Sequence, residues 1–269
     1  MQSATSADGT RIAYERHGEG PPLLLLHGGS APGYWKPIVP RFAGEYTVVV
    51  PHRRGVGESD DSGEYSLERG VDDVRAVVDA VDGDPTLFGH SFGGLLAIEA
   101  ARSVPVERLV AYEPAVLVGE HREGADLAAR MRARIDDGRR REAMRYYVRE
   151  VMHGGDIDDL DAWLEAWPPW PDIVALTENV ARINRAIENY RLPDSLDVDA
   201  PALVLTGTEG PPHLRDGVRA VHESLPESRL VEFEGVGHGG PTEAPDRVTA
   251  EVRRFVAGSD VCSRVAADG

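Results

Sequence analysis

A chain of 269 residues, 41% of them hydrophobic, can bury one large core, alone or with an insertion. Its 46 Asp and Glu against 29 Lys and Arg give a formal net charge of −17, which argues against nucleic acid as a partner. No apolar run approaches the ~20 residues that span a bilayer, residues 1–8 lack both the basic region and the apolar core of a signal peptide, and the one cysteine, Cys262, has no intramolecular partner.

A cytoplasmic protein with no membrane association is therefore expected. Lys36 is the single lysine, so 28 of the 29 basic residues are Arg. Two readings of the charge stand open. One is the Arg-favouring codon usage of a GC-rich genome. The other is salt adaptation, because a large acidic excess repels itself at low ionic strength and is screened by salt.

Residues 11–16 alternate after the turn Asp8-Gly9-Thr10 and predict an early edge strand. Leu23-Leu24-Leu25-Leu26 is a short continuous apolar run, as for a strand covered on both faces, and residues 46–50 form a second. A helical stretch over 34–42 lies between them. Apolar residues at Val71, Val74, Val77, Val78 and Val81 predict a helix over 67–81. Thr86-Leu87-Phe88 is the next strand, followed by a helix to about 103 and a strand over 108–112. The pattern then changes: 118–196 shows only helical periodicity and loops, with helices over 125–135, 142–152 and 173–190. Strand–helix alternation resumes with a strand over 202–205, a helix over 214–225, a strand over 229–233 and a helix over 246–256. Such alternation predicts a mostly parallel sheet covered on both faces. It divides the chain into a core of residues 1–117 and 197–258, a helical insertion over 118–196 that forms a lid, and a disordered tail over 259–269.

Gly89-His90-Ser91-Phe92-Gly93 sits between the strand at 86–88 and the helix after it. A serine on a sharp strand-to-helix turn is pushed into the open, where it can attack a carbonyl. It needs a base. Of the nine histidines, His238 follows the last strand in the glycine-rich loop 235–240, at the carboxyl end where α/β sheets place their ligands. The oxyanion needs backbone donors. The N–H of Phe92, just after the serine, supplies one, and that of Gly29, in His27-Gly28-Gly29-Ser30 after the Leu23–Leu26 strand, supplies the other.

These motifs, with Asp8-Gly9-Thr10-Arg11-Ile12, Trp35 and Arg54-Gly55-Val56-Gly57-Glu58-Ser59, run in order along nearly the whole chain. In this the sequence resembles the α/β-hydrolase superfamily, in particular its small lidded serine hydrolases. The resemblance implies an eight-stranded, mostly parallel sheet with a helical cap inserted after strand six, Ser91 as nucleophile, His238 as base, and the Gly29 and Phe92 amides as oxyanion hole.

Two departures stand out. His52 occupies the place of the usual Asp in D-x-R-G-x-G-x-S. The triad acid usually follows strand seven in a G-x-x-D pattern, but Gly207-Thr208-Glu209-Gly210 puts Gly210 at that place, with Glu209 one residue early. Some relatives, including certain haloalkane dehalogenases, carry the acid after strand six, where Glu113 lies. Glu113 is the favoured acid and Glu209 the alternate, since geometric role rather than chain order defines a triad.

A serine nucleophile argues against dehalogenase and epoxide hydrolase chemistry, for which those relatives use Asp. No phosphate loop, dinucleotide fingerprint or metal-ligand spacing appears, so no cofactor and no metal are expected. The expected reaction is hydrolysis of a small or medium carboxylic ester through an acyl-enzyme, with Trp163 and Trp167 of the insertion as candidate pocket residues. C–C bond hydrolysis, lactone hydrolysis and perhydrolysis would use the same triad. Non-catalytic ligand binding, lyase and acyl-transfer chemistry also occur or fit on such a fold. The expected partner is a small-molecule ester, and the chain a monomer or homodimer.

Overall fold

A computed structural model of the chain describes residues 1–63, 65–155 and 157–258. The expected disordered tail, with Cys262, lies outside those residues. Eight strands form one sheet: β1 (Gln2–Thr5), β2 (Arg11–His17), β3 (Pro22–Leu26), β4 (Thr47–Pro51), β5 (Thr86–His90), β6 (Arg108–Tyr112), β7 (Ala202–Gly207) and β8 (Ser228–Phe233). Their order is β1-β2-β4-β3-β5-β6-β7-β8. The β1–β2 and β2–β4 pairs are antiparallel and the rest are parallel.

Continuous apolar runs are what a doubly covered sheet requires, because successive side chains point to opposite faces. Leu24 and Leu26 of β3 pack on one side with Leu87, Leu109 and Val204; Leu23 and Leu25 pack on the other with Phe88, Val110 and Leu203. The first side is covered by α2 (Leu67–Asp79), α3 (Phe92–Ala101) and α10 (Pro212–Ser224). The second is covered by a 3-10 turn (Pro32–Trp35), α1 (Val39–Phe42) and α12 (Pro245–Val256), the last preceded by the single turn α11 (Gly240–Glu243).

The run of helices between β6 and β7 comprises α4 (Gly119–Glu123), α5 (Leu127–Asp136), α6 (Arg140–Tyr147), a π-helical turn (Val148–Met152), α7 (Leu160–Ala166), α8 (Trp170–Ala175) and α9 (Thr177–Asn189). These helices hold a core of their own around Met131, Met144, Leu164, Trp170 and Val180. The α9 helix is buried on two sides: Val180 and Ala181 face that core, while Ile183, Ala186 and Ile187 join the core of the sheet.

Three elements differ from the sequence reading. The strand at 11–16 is not the edge, because Gln2–Thr5 pairs outside it. The stretch 173–190 is two helices, broken at Leu176. The stretch 34–42 is the end of a 3-10 turn and one helical turn, separated by residues 36–38, with Pro40 in the first positions of the helical turn.

Candidate active site

Four strand ends converge at the carboxyl edge of the parallel sheet. Ser91 lies between β5 and α3 with φ 56° and ψ −124°. A non-glycine residue there carries strain of about 1–3 kcal/mol and persists only where its surroundings fix it. Its N–H donates to Tyr112 O (3.0 Å), and its carbonyl accepts from Gly94 N (2.9 Å) and Ala115 N (3.0 Å). A side chain at Gly93 is impossible in this elbow, since its Cβ would fall 2.0 Å from Leu26 O. The β3 loop closes over the serine: a Cβ on Gly28 would lie 2.7 Å from that of Ser91, and one on Gly29 would lie 2.3 Å from Tyr147 Oη. Phe92 is the first residue of α3, so its N–H has no partner within the helix.

His238 follows β8. Tyr112 Oη donates to Gly237 O (2.7 Å), and His90 Nε2–H donates to the His238 carbonyl (2.8 Å), so two side chains from neighbouring strands hold the loop. The His90 ring stacks on Tyr34 (4.5 Å) and lies against His238 (4.5 Å). Burial pushes the His90 pKa well below the ordinary imidazole range, with a smaller push from His238. His27 is depressed likewise, by burial first and then by the Arg53 charge. Both shifts favour the neutral ring.

His238 Nδ1 meets Glu113 Oε2 at 2.7 Å. Glu113 is fully buried and, at φ 40°, is the second non-glycine residue with positive φ among the described residues; Ser91 is the first. Its other oxygen, Oε1, accepts from Thr206 Oγ1 (2.8 Å) and Gly207 N (3.2 Å). With the His238 proton on Nδ1, both carboxylate oxygens accept hydrogen bonds, as a buried polar group requires. Ser91 is 4% exposed and His238 6%. No hydrogen bond joins the Ser91 hydroxyl to His238 among the described residues, and such contacts often tighten only with substrate bound.

Gly210 explains the missing strand-seven acid. A Cβ there would fall 2.1 Å from Glu113 Oε1, so the carboxylate of Glu113 fills the space that a side chain at 210 would need. Glu209 is exposed, and its carboxylate accepts from Thr208 Oγ1 at 3.4 Å. His52, in the usual Asp position, ties its own loop together: Nδ1 accepts from Glu58 N (3.0 Å), and its carbonyl accepts from Ser59 Oγ (2.5 Å). The neighbouring Arg54 is clamped through Nε and Nη2 by Asp73 and through Nη1 by Asp8.

A cavity of about 310 Å³ is bounded by apolar residues such as Ala115, Leu127 and Ile187 and by polar ones such as Asp126, Glu150 and Glu188; Ser91 and His238 do not line it, and Ala115, whose N–H donates to Ser91 O, connects it to the elbow. Trp163 and Trp167 do not line it. They pack on each other (5.0 Å), and Trp163 meets the edge of His153 (4.7 Å). Near the serine the sequence reading also passed over Arg53, Tyr65 and Tyr147; the doublet Arg53-Arg54 was the available signal. Among the described residues no group of His, Cys, Asp or Glu could hold a metal, and no helix is long and apolar enough to cross a membrane.

The alpha/beta hydrolase family model matches residues 23–252. The chain belongs to that family. A crystal structure of an alpha/beta hydrolase from Sphaerobacter thermophilus is 32% identical to this hydrolase, with a TM-score of 0.83 over 94% of this chain and 99% of that one. The esterase RhEst1 from Rhodococcus sp. ECU1013 is 26% identical, with a TM-score of 0.73 over 95% and 98%. A pimeloyl-(acyl-carrier protein) methyl ester esterase of Aeromonas hydrophila is 28% identical over 91% of this chain and 99% of its own. The eight-stranded, mostly parallel sheet is the fold of this family.

Proposed function

We propose that this hydrolase cleaves small or medium carboxylic esters through an acyl-enzyme on Ser91. The observation that carries the reading is the buried Glu113–His238 pair beside the strained serine elbow. Ser91 Oγ attacks the ester carbonyl while His238 Nε2 takes its proton, and Glu113 holds the ring with Nδ1–H toward the carboxylate and stabilises the imidazolium that forms. The Phe92 and Gly29 N–H groups receive the oxyanion. The imidazolium then protonates the departing alcohol. Water, deprotonated by His238, attacks the acyl carbonyl and releases the acid and Ser91.

The helices of 118–196 act as a lid over this site, and the mixed apolar and polar cavity reached past Ala115, within the usual range for small-ligand pockets, takes one arm of the ester. The ester-named relatives favour this reading over C–C bond hydrolysis, lactone hydrolysis or perhydrolysis on the same triad. Hydrolysis of p-nitrophenyl acetate and butyrate tests it. Turnover abolished by Ser91→Ala is the expected result; turnover that survives that substitution, or its absence in the wild type, overturns the proposal.

A further inference from the structure

Arg53 and Arg54 are adjacent, both buried, and treated oppositely. Arg54 presents its Nε/Nη2 edge to the two oxygens of Asp73, and Asp8 satisfies Nη1. Arg53 is 7% exposed and its only hydrogen bond among the described residues runs from Nη1 to Asn179 Oδ1 (2.9 Å). The same Nε/Nη2 edge of Arg53 has no hydrogen-bond partner, and no carboxylate lies within ion-pair distance among the described residues. This is a chain with 46 acidic residues. A guanidinium stays charged in a protein interior, and an unpaired buried charge is costly to keep.

The Arg53 guanidinium neighbours the proposed acyl-transfer site. The Arg53 guanidinium lies 5.9 Å from the centroid of Phe92, the residue that follows the nucleophile. Tyr65 packs on the same ring (5.8 Å); its buried hydroxyl lies beside Arg53 and interacts with its charge, but makes no well-formed hydrogen bond to it. Tyr147, whose hydroxyl abuts Gly29, is a further electrostatic neighbour of Arg53. Asn179, which holds Arg53 in place, is itself anchored through Nδ2 to Arg54 O (3.0 Å). Asn179 of α9 thus fixes the guanidinium through Nη1, and the Nε/Nη2 edge is left with tyrosine hydroxyls as neighbours and no paired carboxylate among the described residues.

We infer that Arg53 binds a free carboxylate on the substrate, so that the preferred substrates are esters carrying a second, ionised carboxyl group. The two unpartnered nitrogens match the two oxygens of a carboxylate side by side, as the Arg54–Asp73 pair does one residue away. A substrate anion completes the coordination that the protein leaves open. The inference rests on the ester-hydrolase reading for its kinetics but not for its binding.

The test compares monomethyl with dimethyl esters of succinate, glutarate and adipate in the wild type, Arg53→Gln and Arg53→Lys. The wild type should favour at least one half-ester over its diester in kcat/KM by about tenfold to a hundredfold. Arg53→Gln should bring that ratio near one. Arg53→Lys, which keeps the charge without the fork, should give an intermediate ratio and serves if the Gln variant does not fold. A wild type that prefers the diesters throughout, or a ratio unaltered in both variants, overturns the inference. Calorimetric titration of the half-esters into Ser91→Ala, with and without Arg53→Gln, separates the two proposals. If the wild type hydrolyses neither ester, the esterase reading falls and the titration decides alone. Binding that weakens at least about tenfold without Arg53 upholds the carboxylate site, and binding that is unchanged or absent refutes it.

Discussion

Glu113→Gln is nearly isosteric, so it isolates the charge behind His238. In the wild type the carboxylate sits 2.7 Å from His238 Nδ1, with no solvent exposure at Glu113. In the proposed mechanism an imidazolium forms against that carboxylate when the serine proton moves to the ring. Two unit charges ~4 Å apart at an effective dielectric of ~20 attract by about 4 kcal/mol, or roughly a thousandfold in rate. The amide adds a second defect. Its other end stays committed to Thr206 and Gly207, whose donors require the oxygen. The NH2 group then faces Nδ1 and favours the tautomer with the proton on Nε2, which cannot accept from Ser91. The combined loss in kcat should reach about a thousandfold to ten-thousandfold, the scale seen where a triad carboxylate is amidated in other serine hydrolases. Steady-state hydrolysis of p-nitrophenyl butyrate measures it, with KM nearly unchanged because ground-state contacts remain. Glu209→Gln is the control: it alters an exposed side chain and should leave kcat within about twofold. A Glu113→Gln loss below about tenfold, or a larger loss for Glu209→Gln, would refute the assignment.

Three other outcomes are expected. Gly210→Ala puts a methyl group into the Glu113 carboxylate, so it should cost about 1–3 kcal/mol in urea unfolding and lower kcat together; a fully active variant contradicts the crowding argument. Asp73→Ala strips the bidentate partner from fully buried Arg54 and, with Asp8 still paired to Nη1, should destabilise by about 1–3 kcal/mol, read as a lower melting temperature, which an unchanged melt disproves. His213, at the edge of the cavity, has its pKa pushed down to about 4, by burial first and then by His238 and His121. Because the unfolded histidine binds a proton near its ordinary 6.5 and the folded one does not, stability should fall as pH drops from that value toward about 4. In His213→Gln the fall in urea midpoint between about pH 7 and about pH 5 should be smaller; an identical fall removes His213 as its source.

What the sequence makes legible is what local sterics and strand order impose. The elbow can be read because a backbone as tight as that around Ser91 tolerates only glycine at 93, a demand met within a few residues. Apolar runs such as Leu23–Leu26 reveal the doubly covered strands. β1 escapes because Gln2–Thr5 is a mostly exposed edge strand without apolar alternation, held by pairing to β2. The break at Leu176 escapes because the apolar spacing continues across it. Around the site, Glu113 stands out by its place at the end of β6, yet the donors that hold it are 93 and 94 residues away. Arg53 meets Asn179 across 126 residues. Contacts between the sheet and the helices of 118–196 are a product of the whole fold, and no short pattern encodes them. Trp163 and Trp167 stand out by aromatic composition, but that they pack on each other and against the core of those helices is visible only in the fold.

The 2.1 Å gap between a side chain at 210 and the Glu113 carboxylate also constrains how such a sequence can change over generations. An acid at the end of β7 and one at the end of β6 compete for the same few cubic ångströms. A lineage that moves its carboxylate from one strand to the other cannot hold both at once. It must pass through an ancestor with a vacated acid or an overfilled pocket, or change both codons in concert. Glu113 and Gly210 are thus coupled by sterics, and a side chain added at 210 should be tolerated only together with a smaller residue at 113.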